Sequence, residues 1–267
     1  MEAGISARST PPPLGRRLAA EFVGTALLVV AVVGSGIAAS RMSPSDVGLE
    51  LLENAAATAA ALVAIILAVG PVSGAHLNPV VTLADRVFGG LSTAQAMAYM
   101  VAQVAGGVIG VVVANLMFDL PALQVSTRVR SSPGLWLAEV VATFGLLLVI
   151  FGVVRSRRAS VAPFAVGAYI GGAYLFTAST SFANPAVTLA RMLSNTFAGI
   201  APASAPAFIL AQLVGALLAV GVVRLLYPSV AKVALDVVVP HEALEELAST
   251  PSEKSRPVVF PRGGRAP

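Results

Sequence analysis

Long apolar runs separated by short polar or charged segments dominate the chain from residue 18 to residue 227. Six of these runs reach the roughly 20 residues that an α-helix needs to cross the hydrocarbon core of a bilayer. They cover residues 18–39, 51–70, 94–118, 135–154, 159–178 and 206–227. No charged residue interrupts the long intervals between Glu53 and Asp85 or between Arg158 and Arg191. The pattern predicts an all-α membrane protein with six transmembrane helices.

Two further apolar segments, residues 78–88 and 184–193, are too short to cross the membrane. They occupy corresponding places in the two halves of the chain, residues 18–118 and 135–227, which a loop at 119–134 connects. Other features recur in the same order. The matched pairs are Ala20-Glu21-Phe22-Val23-Gly24-Thr25 with Ala138-Glu139-Val140-Val141-Ala142-Thr143, Asn78-Pro79-Val80-Val81-Thr82-Leu83-Ala84 with Asn184-Pro185-Ala186-Val187-Thr188-Leu189-Ala190, and Ala102-Gln103 with Ala211-Gln212. The chain is therefore an internal duplication.

Each half contains an odd number of spans, so the second half enters the membrane from the opposite side. Inverted repeats with paired short segments are typical of a site near the midplane. Backbone that does not span is tolerated at that depth only when it is buried in protein or lines a water-filled cavity. The two short segments therefore predict re-entrant half-helices at a midplane site.

Both short segments begin with Asn-Pro, at Asn78-Pro79 and Asn184-Pro185. Asn is a good helix N-cap, and Pro is favoured at the next position because its missing N–H would be unpaired anyway. If the half-helices enter from opposite faces, their N-termini meet, each with about half an elementary positive charge. Such a meeting point repels cations and protons, while the Asn amides still offer N–H donors to a neutral molecule. This chemistry predicts a pore for small uncharged solutes.

Composition narrows the alternatives. Only 11% of the residues are charged, against roughly a quarter in soluble domains. The net charge is +4, and the basic residues stand in short clusters. Nucleic-acid binding would favour a single basic stripe or patch. The chain has no cysteine and only two histidines, His76 and His241, so disulfides, thiolate metal sites and a multi-histidine metal centre are not expected. No cofactor is implied. Residues 1–17 and 228–267 are polar and Pro-containing, and we predict disordered tails there.

Basic clusters set the predicted topology, because excess Lys and Arg marks the cytoplasmic side of a membrane. Both termini and the connection between the fourth and fifth spans are expected on that side of the cell membrane. Arg128 and Arg130, in the loop between the third and fourth spans, fall on the opposite side. They weaken the predicted orientation without reversing it. The clusters are Arg8, Arg16 and Arg17, then Arg155, Arg157 and Arg158, and finally Arg224.

Over residues 18–227 the chain resembles the aquaporin and aquaglyceroporin family, whose signature is a pair of Asn-Pro-Ala motifs. The motifs here are Ser73-Gly74-Ala75-His76-Leu77-Asn78-Pro79-Val80 and Ser181-Phe182-Ala183-Asn184-Pro185-Ala186, with Val80 in place of the usual Ala. The resemblance implies six spans with two half-helices, a homotetramer with one pore in each subunit, and pore-lining roles for the two motifs, including Pro79, Val80, Pro185 and Ala186.

The resemblance also implies roles for three ionisable residues. Glu21 and Glu139 match buried glutamates that hold the re-entrant loops; the alternative is a proton-coupling carboxylate, since acids inside the membrane are functional by default. His76 matches a residue that lines the cytoplasmic approach to the Asn pair; the alternative is a loop histidine bonded to backbone. Gly and Ala residues around Gln103 and Gln212 are interpreted as close helix packing.

The outer constriction of this family uses four positions, one of which is normally an Arg directly after the second triplet. That position is Val187 here. The other three match Thr58, Gly172 (or Gly171) and one of Ser181 and Phe182. Such a ring is wider and less polar than one with Arg, His and an aromatic, and selectivity follows diameter and lining donors. We therefore expect solutes larger than water to pass.

Arg191 lies four residues beyond Val187 and thus on the same face of the half-helix. It either projects into the outer vestibule and replaces part of the missing charge, or snorkels or forms a salt bridge at the helix end.

Residues 179–188 resemble a bacterial branch associated with arsenic resistance, in which the channel passes undissociated arsenite. Water, glycerol-like polyols and undissociated arsenite are the candidate solutes. An ion-coupled secondary transporter with inverted repeats is the main alternative, with Glu21 and Glu139 as the available ion ligands. A membrane enzyme is disfavoured, because no nucleophile arrangement is visible, and a structural junction protein is the third possibility.

Overall fold

The structure, a computed structural model, describes residues 12–156 and 158–228. In these ranges the helices are α1 (Leu14–Met42), α2 (Val47–Ser73), α3 (Pro79–Phe88), α4 (Thr93–Met117), α5 (Pro133–Arg155), a 3₁₀ turn (Ala159–Val161), α6 (Ala162–Phe176), α7 (Pro185–Arg191) and α8 (Ala205–Leu226). Six helical segments are long and apolar enough to cross a membrane. They coincide with the six predicted spans, which confirms the predicted fold class.

The predicted tails lie mostly outside the described residues, which leave out 1–11 and 229–267. The N-terminal boundary is corrected, because α1 begins at Leu14. Residues 14–17, which the polar composition assigned to the tail, form its first turn. Arg16 and Arg17 are compatible with a helix that emerges from the apolar region, since arginine is a good helix former.

Several helices begin at polar residues whose side chains accept a hydrogen bond from the first turn. Asp46 accepts from the backbone N–H of Leu49 at 3.0 Å. Ser92 and Gln95 form a reciprocal capping box before α4, with bonds of 3.2 and 3.0 Å. Such caps satisfy backbone donors that have no partner within the helix. Each cap therefore fixes the residue at which the following helix begins.

The two halves pack in the same way. In the first half α1 packs against α2 and α4, and in the second half α5 packs against α6 and α8. Each half-helix contacts the last long helix of its own half and that of the opposite half: α3 contacts α4 and α8, and α7 contacts α8 and α4. The half-helices therefore lie between the halves, where their tips meet.

Glycines permit the close approach of the longest helices. A Cβ atom added at Gly106 would collide with the carbonyl oxygen of Phe22, and one at Gly110 with that of Ala26. In the second half, a Cβ atom at Gly215 would lie 2.5 Å from the carbonyl oxygen of Val140. Small residues at these positions let two backbones touch. The predicted close packing around Gln103 and Gln212 is confirmed.

Candidate functional site

The loops that lead into α3 and α7 share an unusual backbone conformation. Ala75 and Leu77 have φ of 47° and 51°, and Ser181 and Ala183, at the corresponding places, have φ of 49° and 47°. Non-glycine residues with positive φ cost free energy, of order 1 kcal/mol or more each. The loops therefore need strong support from the residues around them.

A buried carboxylate holds the first loop. The Glu21 side chain accepts hydrogen bonds from the backbone N–H of His76 at 3.0 Å and of Leu77 at 2.7 Å. It also accepts from the Ser73 hydroxyl at 2.7 Å and from the Gln103 amide at 2.8 Å. These bonds use both carboxylate oxygens, which favours the interpretation that Glu21 supports the loop.

Glu139 does the same for the second loop. It accepts from the backbone N–H groups of Phe182 and Ala183, both at 2.9 Å, and from the Gln212 amide at 2.6 Å. Glu21 and Glu139 are both fully buried. Two fully bonded carboxylates in equivalent places favour a structural role over proton coupling, because a coupling acid has to exchange protons with an aqueous path.

Two threonines complete these networks. The Gln103 amide donates to the Thr82 hydroxyl, and the Gln212 amide donates to the Thr188 hydroxyl, both at 2.9 Å. These bonds add to those that the two amides donate to the glutamates. Sequence reasoning missed the role of these threonines. The signal was available, because Thr stands four residues after Asn in both copies of the motif.

The two asparagines meet at the centre of the molecule. The Asn78 side-chain oxygen accepts from the backbone N–H of Val80, and the Asn184 oxygen accepts from that of Ala186, so each caps its own half-helix. The Asn78 amide donates to the Ala183 carbonyl, and the Asn184 amide donates to the Leu77 carbonyl, both at 2.8 Å. Each amide group has two N–H donors, so each keeps one donor for another partner.

A cavity of about 60 Å³ contains both asparagines in its wall. This volume is large enough to hold several water molecules. Apolar side chains make up most of the wall, including Leu28, Ile66 and Leu146. His76 lies in the wall on the α3 side and Arg191 on the α7 side. The cavity therefore has a mostly apolar lining with a few polar groups.

The remaining residues of the two Asn-Pro motifs do not line this cavity, which corrects the pore-lining assignment of Pro79, Val80, Pro185 and Ala186. All four are buried in the surrounding packing. The wall is formed instead by Val81 and Val187, three residues after each Asn. Residues three apart lie on one face of a helix, whereas the first and second positions after the cap point away from the cavity.

Of the residues predicted at the constriction, Thr58, Ser181, Phe182 and Val187 line the cavity. Gly172 does not, and its place there is corrected. The α6 helix presents Val166, Ile170 and Tyr174 instead, at intervals of four residues. Residue 172 lies half a turn away from residues 170 and 174 and therefore faces elsewhere. Gly171 is also turned away, because a Cβ atom there would lie 2.9 Å from that of Ala59 on α2.

Arg191 is buried in the wall of the cavity, with 1% of its surface exposed. Its Nε atom donates to the carbonyl oxygen of Ala198, and its guanidinium carbon lies 3.4 Å from the centre of the Phe182 ring. Its Nη1 atom is buried and has no hydrogen-bond partner among the described residues. This placement disfavours snorkelling to the membrane surface, whereas the role of Arg191 in the outer vestibule stays a prediction.

His76 has an acidic neighbour that sequence reasoning missed. Its Nδ1 atom is 3.1 Å from the Thr82 hydroxyl, and its Nε2 atom is 3.8 Å from a carboxylate oxygen of Asp85. Asp85 is 2% exposed. The residues are nine positions apart across a loop and a half-helix, so no short-range pattern paired them. His76 contacts side chains as well as the cavity, which disfavours a purely backbone-bonded loop histidine.

Comparison with known proteins agrees with this geometry. The family described as Major intrinsic protein matches residues 9–183 and 164–253. An aquaglyceroporin, AqpS, of Rhizobium meliloti (strain 1021) is 51% identical over 217 residues, which cover 81% of this chain and 92% of that protein. A probable aquaporin of TIP-type alpha from Phaseolus vulgaris is 33% identical over 180 residues, or 63% of this chain and 69% of that protein.

A solved structure has a similar fold. The X-ray structure of the aquaglyceroporin from Plasmodium falciparum superposes with a TM-score of 0.63 over 82% of this chain and 99% of that chain. The two sequences are 22% identical, so this likeness concerns the fold.

Proposed function

The chain belongs to the major intrinsic protein family and is a multi-pass membrane channel, and from that premise we propose that it passes water and glycerol-like polyols while excluding ions and protons. Undissociated arsenite, which shares three hydroxyl groups and a small size with glycerol, is a further candidate. No cofactor takes part in such passive flux. We place the channel in the cell membrane as a homotetramer, with both termini in the cytoplasm.

The observation that carries this proposal is the crossed pair of asparagines. Each Asn amide is fixed by two bonds, one through its oxygen to its own half-helix and one through an N–H to the opposite loop. The remaining N–H of each amide offers a donor to the oxygen of a passing solute. A water molecule that accepts from both amides has its own hydrogens turned outward, which interrupts a proton-conducting chain of waters.

The constriction on the α7 side supports a solute larger than water. Val187 stands where the resemblance leads one to expect an arginine, and its apolar side chain leaves a wider and less polar passage. Two hydroxyls in this part of the wall, those of Thr58 and Ser181, are buried and have no partner among the described residues. Buried polar groups normally find a partner, and the hydroxyls of a polyol supply one.

A stopped-flow experiment on proteoliposomes tests the proposal. Vesicles with the protein should reswell in a glycerol gradient faster than empty vesicles, and a parallel series with water, urea and arsenite defines the range of solutes. If water permeability alone rises, the wide-constriction argument is wrong.

Variants of the asparagines test proton exclusion. In Asn184→Asp, a carboxylate keeps the capping oxygen, loses the amide donors and adds a negative charge near the midplane. We expect faster proton leak, measured with a pH-sensitive dye inside the vesicles. Asn195→Asp is the matched control, because the exposed Asn195 side chain acts as an acceptor for Thr127. Equal leak in the two variants would contradict the role of Asn184.

A further inference from the structure

Three arginines lie near the α7 side of the cavity, and none of them forms a salt bridge among the described residues. Arg191 lines the cavity, while Arg128 and Arg130 belong to the loop between α4 and α5. Arg128 is exposed and stacks 5.1 Å from the centre of the Phe197 ring.

One aromatic ring joins two of these arginines. The guanidinium carbons of Arg191 and Arg130 lie 3.4 and 5.2 Å from the centre of the Phe182 ring. Arg130 is held in place by bonds from Nε to the Gly199 carbonyl at 2.9 Å and from Nη2 to the Phe197 carbonyl at 3.2 Å. The partners of both guanidinium groups are a ring and neutral carbonyls, which fix their positions without forming an ion pair.

Glu139 is an acid whose charge acts on both Arg130 and Arg191, but it forms no ion pair with either of them among the described residues. Glu139 lies behind Phe182, and its oxygens accept from the N–H groups of Phe182 and Ala183 and from Gln212. Burial, with the neighbouring charges of Arg191 and Arg128, lowers the pKa of Arg130 to about 9. Arg130 is thus still charged at pH 7, although its environment disfavours another positive charge.

A second, independent observation points to a ligand. The Nη1 atom of Arg191 is buried without a hydrogen-bond partner among the described residues, and so are the hydroxyls of Thr58 and Ser181. All three side chains belong to the wall of the same cavity. An unpaired buried guanidinium donor is costly, and an acceptor oxygen that carries negative charge is its strongest partner.

We propose that the α7-side entrance, formed by Arg130, Arg191, Thr58 and Ser181, is a binding site for a small oxyanion, the conjugate base of a weak oxyacid. Its oxygens accept hydrogen bonds from the two guanidinium groups, and a hydroxyl on the same ion donates to Thr58 or Ser181. A bound oxyanion occupies the path of neutral solutes, so it inhibits their flux. The inhibition of solute flux, used as a readout, rests on the proposed function. The binding of the oxyanion does not rest on it.

Inorganic phosphate is the probe. Glycerol flux into proteoliposomes is compared in potassium phosphate and in potassium chloride, at equal ionic strength and osmolality and with the same solution on both sides. Phosphate should reduce the flux saturably, by at least two-fold, and chloride should not, because it lacks several acceptor oxygens. Equal flux in both salts would overturn the proposal while leaving glycerol conduction established.

Variants then locate the site. Arg130→Met and Arg191→Met should each raise the phosphate concentration for half-inhibition at least five-fold, with each variant measured against its own flux without phosphate. The matched control is Arg41→Met, since Arg41 also bonds a carbonyl and stacks on a ring, both of Phe118, but lines a separate cavity. An unchanged half-inhibition concentration in both entrance variants, or a loss of inhibition in the control, would place the site elsewhere.

Equilibrium dialysis of phosphate against the detergent-solubilised protein separates the two proposals. If the wild type conducts no glycerol, the proposed function fails, and dialysis still decides whether phosphate binds. Binding by the wild type that weakens in Arg130→Met supports the site, and Arg130→Lys, which keeps the charge, should retain part of it. Absence of saturable binding by the wild type would overturn the inference.

Discussion

Val187 is the residue through which the constriction differs most from the pattern that the sequence resembles. It is 4% exposed and lines the cavity on the same face of α7 as Arg191. Its branched side chain offers no hydrogen bond to a solute, so the polar contacts of this region come from the residues around it. We therefore expect solute size to decide more of the selectivity here than it would beside an arginine.

Val187→Arg should narrow the entrance and add a second guanidinium group beside Arg191. We expect glycerol flux to fall at least several-fold more than water flux, because the larger solute is affected first by a reduced diameter. Stopped-flow measurement of both permeabilities in the same vesicles checks this. Val187→Met, which adds length without charge, separates the effect of bulk from that of charge. Equal loss of both fluxes in Val187→Arg would contradict the size argument.

Glu21→Gln should destabilise the protein. One carboxylate oxygen becomes an NH₂ group, and at least one of the N–H donors of the first loop then faces another donor. The expected loss is about 1–3 kcal/mol, the cost of a buried group left unsatisfied. Thermal unfolding in detergent measures it. Asp46→Asn is the control, because Asn caps a helix as well as Asp does. A variant with unchanged stability but altered flux would favour a proton-coupling role.

At the scale of single residues the sequence identified Asn78 and Asn184 from cap chemistry and repetition. It misplaced Gly172, because counting back from the motif through a loop does not show which face of α6 meets the cavity. Asp85 was missed for a related reason: its neighbour His76 lies across a turn whose path depends on the positive φ values of Ala75 and Leu77.

The half-helices show how far element boundaries follow from local signals. Both begin at the residue after the capping Asn, as predicted. The first ends before Gly89, which takes the left-handed conformation that glycine favours at helix ends. The second has no glycine at that point and ends at Arg191, two residues before the predicted end. Start signals were present in both copies, whereas a stop signal was present in one.

Gly106→Ala should weaken the contact between α1 and α4. Its methyl group would collide with the Phe22 carbonyl, so one helix has to shift, at a cost of about 1–3 kcal/mol. Thermal unfolding in detergent should show a melting temperature lower by roughly 5 °C. Gly221→Ala is the matched control, since a Cβ atom at Gly221 meets nothing within 4 Å and Ala favours a helix. Equal melting temperatures for both variants would contradict the packing role of Gly106.

The whole molecule repeats one supporting network twice. Carboxylate, glutamine and threonine occupy equivalent places in each half, and each half-helix tip bonds the loop of the other half. This arrangement favours passive flux, because Glu21 and Glu139 have both carboxylate oxygens bonded and no carboxylate among the described residues lines the cavity.

Glycerol flux through the wild type should therefore be independent of proton and sodium gradients. Proteoliposomes with and without a pH step, and with sodium or potassium as the cation, should give permeabilities equal within error. The temperature dependence should be shallow, as for diffusion through a preformed path. Flux that rises at least several-fold with either gradient would favour the ion-coupled transporter.

Sequence alone determined the features that depend on short-range chemistry and repetition: six spans, two half-helices capped by Asn, and the inversion of the second half. These follow from the length of apolar runs, from cap preferences and from the odd number of spans in each half. The tertiary structure decided which face of each helix meets the cavity, how Arg191 stacks on Phe182 beside Arg130, and that Asp85 lies beside His76. Such contacts join residues that are distant along the chain or separated by loops of unusual conformation, and only the packing of the two halves against each other brings them together.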